Sequence, residues 1–278
     1  MAGMTACYAV SAGAKLLHTT HQLDHPRRRL AESGQFCLYM MDENPFKHGG
    51  HFVPAIQKVR LIHAAVRHLL RVNKAWDEEQ YGVPIHQEDM LGALMLFSVL
   101  TLRGLERLGV PVTKQEAEDF YHTWRVVGSM LGIPDDIMPT TLAGTAELYD
   151  LVTRRNWGPS PEGAALTRNL ISTYAAVVPG KAFDGVVPAL IRYLLGEEAA
   201  DWMEVPHTTW EKMTHFLPKL NHAVGEVEHH HALARKVLDK AGQLLLKAQV
   251  RSLAQDKHIS FDIPGKLCAH WGVTETEN

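Results

Sequence analysis

The segment KVRLIHAAVRHLL, residues 58–70, carries the pattern that decides the fold. Read at helical spacing within 54–73, Ile56, Val59, His63, Val66 and Leu70 fall on one stripe, because residues three or four apart share a helix face. All but His63 are apolar. Arg60 and Arg67 stand about one turn to either side of the imidazole and flank the same stripe.

The same period recurs along the chain. Residues 26–41, 87–108, 114–131, 141–156, 161–178 and 185–195 read as helices, and 209–252 as one or two more. Start signals agree. Thr113 with Glu116 and Thr208 with Glu211 have capping-box spacing, and Ser160-Pro161-Glu162 places a cap before a helix-opening proline. Stops fall at Gly109, Gly132, Pro179-Gly180 and Gly196, and only HISFDIP (258–264) could be a short extended piece. Segments 42–52 and 74–86 read as loops. The expectation is an all-α, single-domain helical bundle spanning 1–278.

Composition narrows the class. The chain has 278 residues, 46% hydrophobic and 21% charged, with a formal charge of -3 and scattered basic residues, so nothing draws it to nucleic acid. The longest apolar run, LGALMLFSVLTL (91–102), is shorter than the ~20 residues a transmembrane segment needs. Cys7, Cys37 and Cys268 form no CxxC pair and no CxxCH haem-attachment motif. The first residues lack the basic start and apolar run of a secretory signal. The expected location is cytoplasmic.

On periodicity alone His63 has two readings. A core histidine bonded to a backbone carbonyl is the commoner fate of such a residue. A metal or haem ligand is the sharper one, with the flanking arginines neutralising propionates. A second helix bears on the choice. From Pro26 the face Arg29, Glu32, Ser33, Phe36, Cys37, Met40 starts polar and continues apolar, as a surface turn or as the wall of a greasy pocket.

Four stretches in order, RRRLAESGQF (27–36), KVRLIHAAVRH (58–68), GVPIHQEDMLGALMLFS (82–98) and YHTWRVVGSMLGIP (121–134), resemble the catalytic domain of the rubber-oxygenase (latex-clearing-protein) family. That family also includes the membrane-associated fungal oxygenases of mycophenolic acid biosynthesis. The resemblance covers about residues 7–140. It implies a globin-like core holding non-covalent haem b, with His63 as the axial iron ligand and Arg29, Glu32 and Ser33 on the distal side. Rubber-cleaving members carry lysine where this chain has Glu32 and threonine where it has Ser33. A carboxylate there is the candidate general base or proton relay.

The implied function is a haem-dependent oxygenase that takes dioxygen and a small apolar molecule, isoprenoid, lipid-like or aromatic. His63 would bind iron, Arg60 and Arg67 would meet the propionates, and Phe36, Cys37, Met40, Leu94 and Phe97 would line the substrate pocket. Trp124 reads as a packing residue and Asp89 as a helix-start cap. Two alternatives stand beside this. One is a haem carrier or sensor without catalysis. The other is a di-iron carboxylate site built on the ExxH pair Glu226 and His229, with Glu228 and His231 beside it and Asp119 and His122 as a degenerate second copy. His18, His21 and His25 read as a helix end and loop.

Overall fold

Helix α4 (Phe52–Val72) is the long central element, and its sequence explains its length. It contains no glycine, and Pro54 sits in its first turn, where backbone N–H groups have no intrahelical partner to lose. Its buried residues include Phe52, Ala55, Ile56, Ala65 and Leu70. Val59, His63 and Val66, midway along the expected stripe, are only partly buried. The stripe is therefore packed near both ends and looks onto open space at its centre.

The computed structural model describes residues 1–20, 26–176, 185–219, 221, 244 and 246–254. The remaining helices, in chain order, are α1 (Ala2–Tyr8), α2 (Ser11–Thr19), α3 (Pro26–Met40), α5 (Glu78–Tyr81), α6 (Gln87–Phe97), α7 (Val99–Arg107), α8 (Lys114–Leu131), α9 (Leu142–Asn156), α10 (Pro161–Ala175), α11 (Val186–Leu195), α12 (Glu197–Trp202) and α13 (Glu211–Thr214). Among the described residues there is no strand, only an isolated bridge between Val10 and Trp157. The all-α expectation holds. HISFDIP (258–264) and the Glu226–His231 cluster lie outside the described residues.

Capping behaves largely as the sequence requires. Thr113 Oγ1 accepts from Glu116 N at 3.2 Å while Glu116 returns the bond to Thr113 N at 2.8 Å. Ser160 Oγ accepts from Gly163 N at 3.0 Å ahead of Pro161. The Thr208 box is only half made: Glu211 accepts from Thr208 N, but the Thr208 hydroxyl donates to Gly185 O at 2.9 Å. That tie explains why helix begins at Glu211, two residues later than the pattern suggests.

Two further departures have local causes. The single helix expected over 87–108 bends at Ser98, whose buried hydroxyl donates to the Leu94 carbonyl at 2.9 Å and competes with the helical ladder there. The N-terminal pair α1–α2 is missed by periodicity altogether. Both helices are short, and small residues such as Gly3, Ala6, Gly13 and Ala14 give the period few large side chains to mark it, although α2 carries Lys15 and His18 on its polar side. This pair packs on α10 and α11, and Gly158 N donates to Ala9 O at 3.0 Å to fasten it to the α9–α10 connection.

The core runs between α4, α6, α8, α9 and α10 through Ile56, Leu91, Met95, Val127, Tyr149 and Leu170. Trp124 is buried there with its ring stacked on Phe97 at 4.9 Å, the packing role its sequence position suggests. α6 and α8 approach closely at Gly128, where an added Cβ would lie 2.4 Å from Leu94 Cδ1 and 2.8 Å from Met138 Sδ. Gly128→Ala therefore overpacks this crossing despite its better helix propensity. The expected cost is about 1–3 kcal/mol, measured by urea unfolding.

Candidate functional site

At the centre of the α4 stripe lies a cavity of about 1270 Å³, its open mouth included, walled by α1, α2, α4, α6 and α9. Most of the lining is apolar, with Val10, Leu16, Ile62, Val66, Met95 and Leu96 among it. His63 is the imidazole in that wall, and Arg29, Glu88, Asp89 and Asn156 are further polar members. α1 and α2 contribute Cys7, Leu16, Leu17 and others, with Val10 and Thr20 beside them, so the helices the sequence did not reveal form one side of the site.

His63 makes no hydrogen bond to any described residue, and its Nδ1 is buried without a partner. Burial, reinforced by the charges of Arg67 and Arg29, pushes its pKa down from 6.5 to about 4. The ring is thus neutral at physiological pH with a free lone pair, the form that ligates metal. A core histidine satisfied by a carbonyl, the commoner reading of the sequence, is not what the structure holds. Neither does a carbonyl or carboxylate fix the tautomer of the ring, as the second nitrogen of a ligand ordinarily requires.

The arginines divide the work. Arg29, next to Glu32 on α3, reaches the cavity and acts electrostatically on both His63 and Tyr8. Arg67 donates to Ile85 O at 2.8 Å and so holds the 73–86 connection against α4. Ile85 lines the cavity and has φ of 54°, a left-handed conformation costly for a β-branched residue. Trp76, also in the wall, donates to Gly82 O at 2.7 Å, and Arg71 pairs with Glu78 one turn beyond Arg67. Arg60 lies outside the wall and donates to Met130 O at 3.1 Å, near the carbonyl end of α8.

Glu32 is not in the cavity lining. It accepts from Arg28 Nε at 2.8 Å and Arg29 Nη1 at 3.0 Å, so it braces the arginine that does reach the site. Ser33, partly buried, is likewise absent from the wall. The expected substrate residues lie elsewhere. Phe36 packs on Phe52 at 5.7 Å, Leu94 is in the core against α8, and Cys37, Met40 and Phe97 border a separate shallow groove with Phe120 and Trp124. The reason is length. Eleven residues of helix separate Arg29 from Met40, about 16 Å, too far for both to line one small cavity.

The residues missed by sequence reading stand at the start of α6. Glu88 receives Asn156 Nδ2 at 2.6 Å and pairs with Arg155, which holds its carboxyl below the ordinary range. Asp89 is the capping residue its position implies, bonded to His86 N at 3.1 Å, yet it also faces the cavity. The signal was present in HQEDM, where a capping acid follows a second acid at the mouth of an apolar helix. As for the di-iron alternative, Asp119 and His122 are exposed on α8 and Asp119 is bonded to Gln115, so the described half of that constellation sits in solvent. His18 is exposed as well.

A neutral, unbonded imidazole in the wall of an apolar interhelical cavity is an arrangement that could hold a cofactor or a small apolar ligand. Comparison with known proteins is more specific. The family described as ER-bound oxygenase mpaB/B'/Rubber oxygenase, catalytic domain, matches residues 1–225, and the chain belongs to it. The match extends well past the 7–140 stretch whose motifs are legible by eye. The rubber oxygenase of Streptomyces sp. (strain K30) is 34% identical over 156 residues, 55% of this chain and 38% of that protein, so the chain matches well under half of that relative's length. The structure of latex clearing protein LCP in the closed state aligns with a TM-score of 0.57 at 22% identity, covering 91% of this chain and 69% of that one, a likeness of fold. Among the described residues no helix is long and apolar enough to cross a membrane.

The depressed pKa of His63 has a thermodynamic consequence. Between pH 6.5 and about 4 the unfolded chain binds a proton that the folded chain does not, so stability is lost as pH falls through this window. The full contribution is about 3 kcal/mol. Denaturant unfolding of ligand-free protein should show this loss, and His63→Gln should flatten it. Parallel pH profiles for the two proteins would contradict the burial of an unpaired imidazole.

Proposed function

We propose that the chain is a haem b-dependent oxygenase that consumes dioxygen and a small apolar substrate of isoprenoid, lipid-like or aromatic character. The observation that carries the reading is the neutral His63 ring, with Nδ1 unbonded, in the wall of a largely apolar cavity. Membership of a family of oxygenase catalytic domains supports it. The residues present fit the cofactor: an imidazole donor on one helix, two cations near it, and apolar walls around them. Haem bound there would supply the oxygen chemistry.

The chain's own residues then have separable tasks. His63 would hold the iron through its unbonded ring nitrogen. Arg29, half exposed and braced by Glu32, would offer an N–H donor at the cavity edge, where a fixed donor stabilises developing negative charge. Arg29, the arginine in the lining, would balance a carboxylate of the cofactor, while Arg60 and Arg67 each donate to a main-chain carbonyl. Ser33 has no task in this arrangement. Leu16, Leu17, Trp76, Ile85 and Leu96 exclude water from the reacting centre and favour an apolar substrate. Substrate specificity is assigned to this lining instead of the α3 set. The free thiols of Cys7 and Cys37 agree with a reducing, cytoplasmic setting.

The test is spectroscopic. Purified protein supplied with haem should show a Soret band that shifts on reduction with dithionite, and His63→Ala should abolish it. Failure to take up haem, or a full band in His63→Ala, would defeat the proposal. Arg29→Ala should keep the band and slow oxygen uptake by roughly 10²-fold. A haem-loaded protein that never consumes oxygen with apolar substrates would favour the carrier or sensor reading.

A further inference from the structure

Two carboxyl groups adjoin in the cavity wall, and their surroundings push them apart. Glu88 is held as an anion by Arg155 and Asn156. Asp89, the next residue, has no cation of its own. Its Oδ2 accepts from His86 N at 3.1 Å, its own N–H donates to His86 Nδ1 at 3.3 Å, and Oδ1 stands 3.5 Å from His86 Nε2. Histidine is an unusual helix cap, where serine, threonine, asparagine or aspartate serve better. Here the imidazole has a second use, because the reciprocal bonds fix the Asp89 carboxyl against the cavity.

Of the titratable groups around the cavity, His86 and Glu88 of its own segment and Cys7 of α1 interact electrostatically with Asp89, and Tyr149 of α9, His63 and Arg29 line the same cavity. Burial raises the Asp89 pKa, and the Glu88 charge adds to the rise. His86, through its charge and its N–H, pulls the other way and does not win. Cys7 is pushed up to about 11, partly by Asp89 itself, so it stays a thiol. Raising the pKa of one carboxyl while lowering that of its neighbour is how a site sets acid and base roles apart on two like residues.

We propose that Asp89, rather than Glu32, is the acid that gives up a proton inside the cavity, with His86 as its positioning residue. This rests on reading the His63 cavity as the oxygenase site. In the step, the Asp89 O–H bond breaks, the proton passes to an oxygen that dioxygen has contributed to the substrate, and the electron pair stays on the carboxylate. Water entering at the cavity mouth returns the proton. Glu32 cannot serve, because both its oxygens are engaged by Arg28 and Arg29 away from the lining.

The first test needs neither cofactor nor substrate. Infrared spectra of the ligand-free full chain should contain a carboxylic-acid C=O band that persists to higher pH than an ordinary aspartate allows. The band should disappear in Asp89→Asn and survive in Glu32→Gln. A band unchanged in Asp89→Asn, or lost equally in Glu32→Gln, overturns the assignment. In haem-loaded protein, oxygen uptake with squalene as the apolar probe should fall by about 10²-fold in Asp89→Asn and recover partly in Asp89→Glu. Uptake equal to the unaltered protein would also overturn it. If His63→Ala keeps its Soret band, the oxygenase reading falls, while the infrared assignment of Asp89 is decided independently.

Discussion

Close packing is the default of a helical bundle, because atoms that line a void forfeit dispersion energy on their open side. Keeping a cavity open beside His63 therefore requires ties that fix the surrounding elements at a distance. They lie around its rim. Arg67 grips the Ile85 carbonyl and Trp76 the Gly82 carbonyl, so the 73–86 connection is held in one fixed shape against α4. Glu88 joins the start of α6 to the end of α9 through Arg155 and Asn156. The Val10–Trp157 bridge and the Gly158–Ala9 bond fix the N-terminal helices over the remaining side. Each tie uses a polar group at an edge, which leaves the interior of the cavity apolar.

The fold is largely legible in the sequence because helices announce themselves by period and caps. α4, α8, α9 and α10 lie within two or three residues of their sequence-derived limits, with Thr113 and Ser160 capping as their spacing requires. What stays hidden has two physical sources. α1 and α2 are short helices of seven and nine residues built largely from small side chains, which leaves periodicity little to read. The bend at Ser98 depends on whether a hydroxyl turns to its own backbone, which a sequence pattern does not record.

The site is legible at one end only. His63 and Arg29 line one cavity. Taking the whole apolar face of α3 as pocket wall gives the cavity the helix's length, whereas Cys37 and Met40 belong to another groove. Glu88 and Asp89 are visible as a helix start, and their second role appears only once α6 is seen to open onto the same space. Glu32 illustrates the remaining difficulty. A charge that departs from the family pattern invites a chemical role, yet a carboxylate between two arginines of its own helix is first of all an anchor.

The 73–86 connection is fastened by side chains of Arg67 and Trp76 to the main-chain oxygens of Ile85 and Gly82. A carbonyl is the same whatever residue bears it. The fastening is thus blind to identity at position 85, while the Ile85 side chain itself faces the cavity. Its left-handed backbone would even be eased by an unbranched replacement. Related proteins are in this way free to diverge in what they accept at that wall without re-engineering the scaffold that presents it, so selection can act on ligand preference and on folding as nearly independent traits.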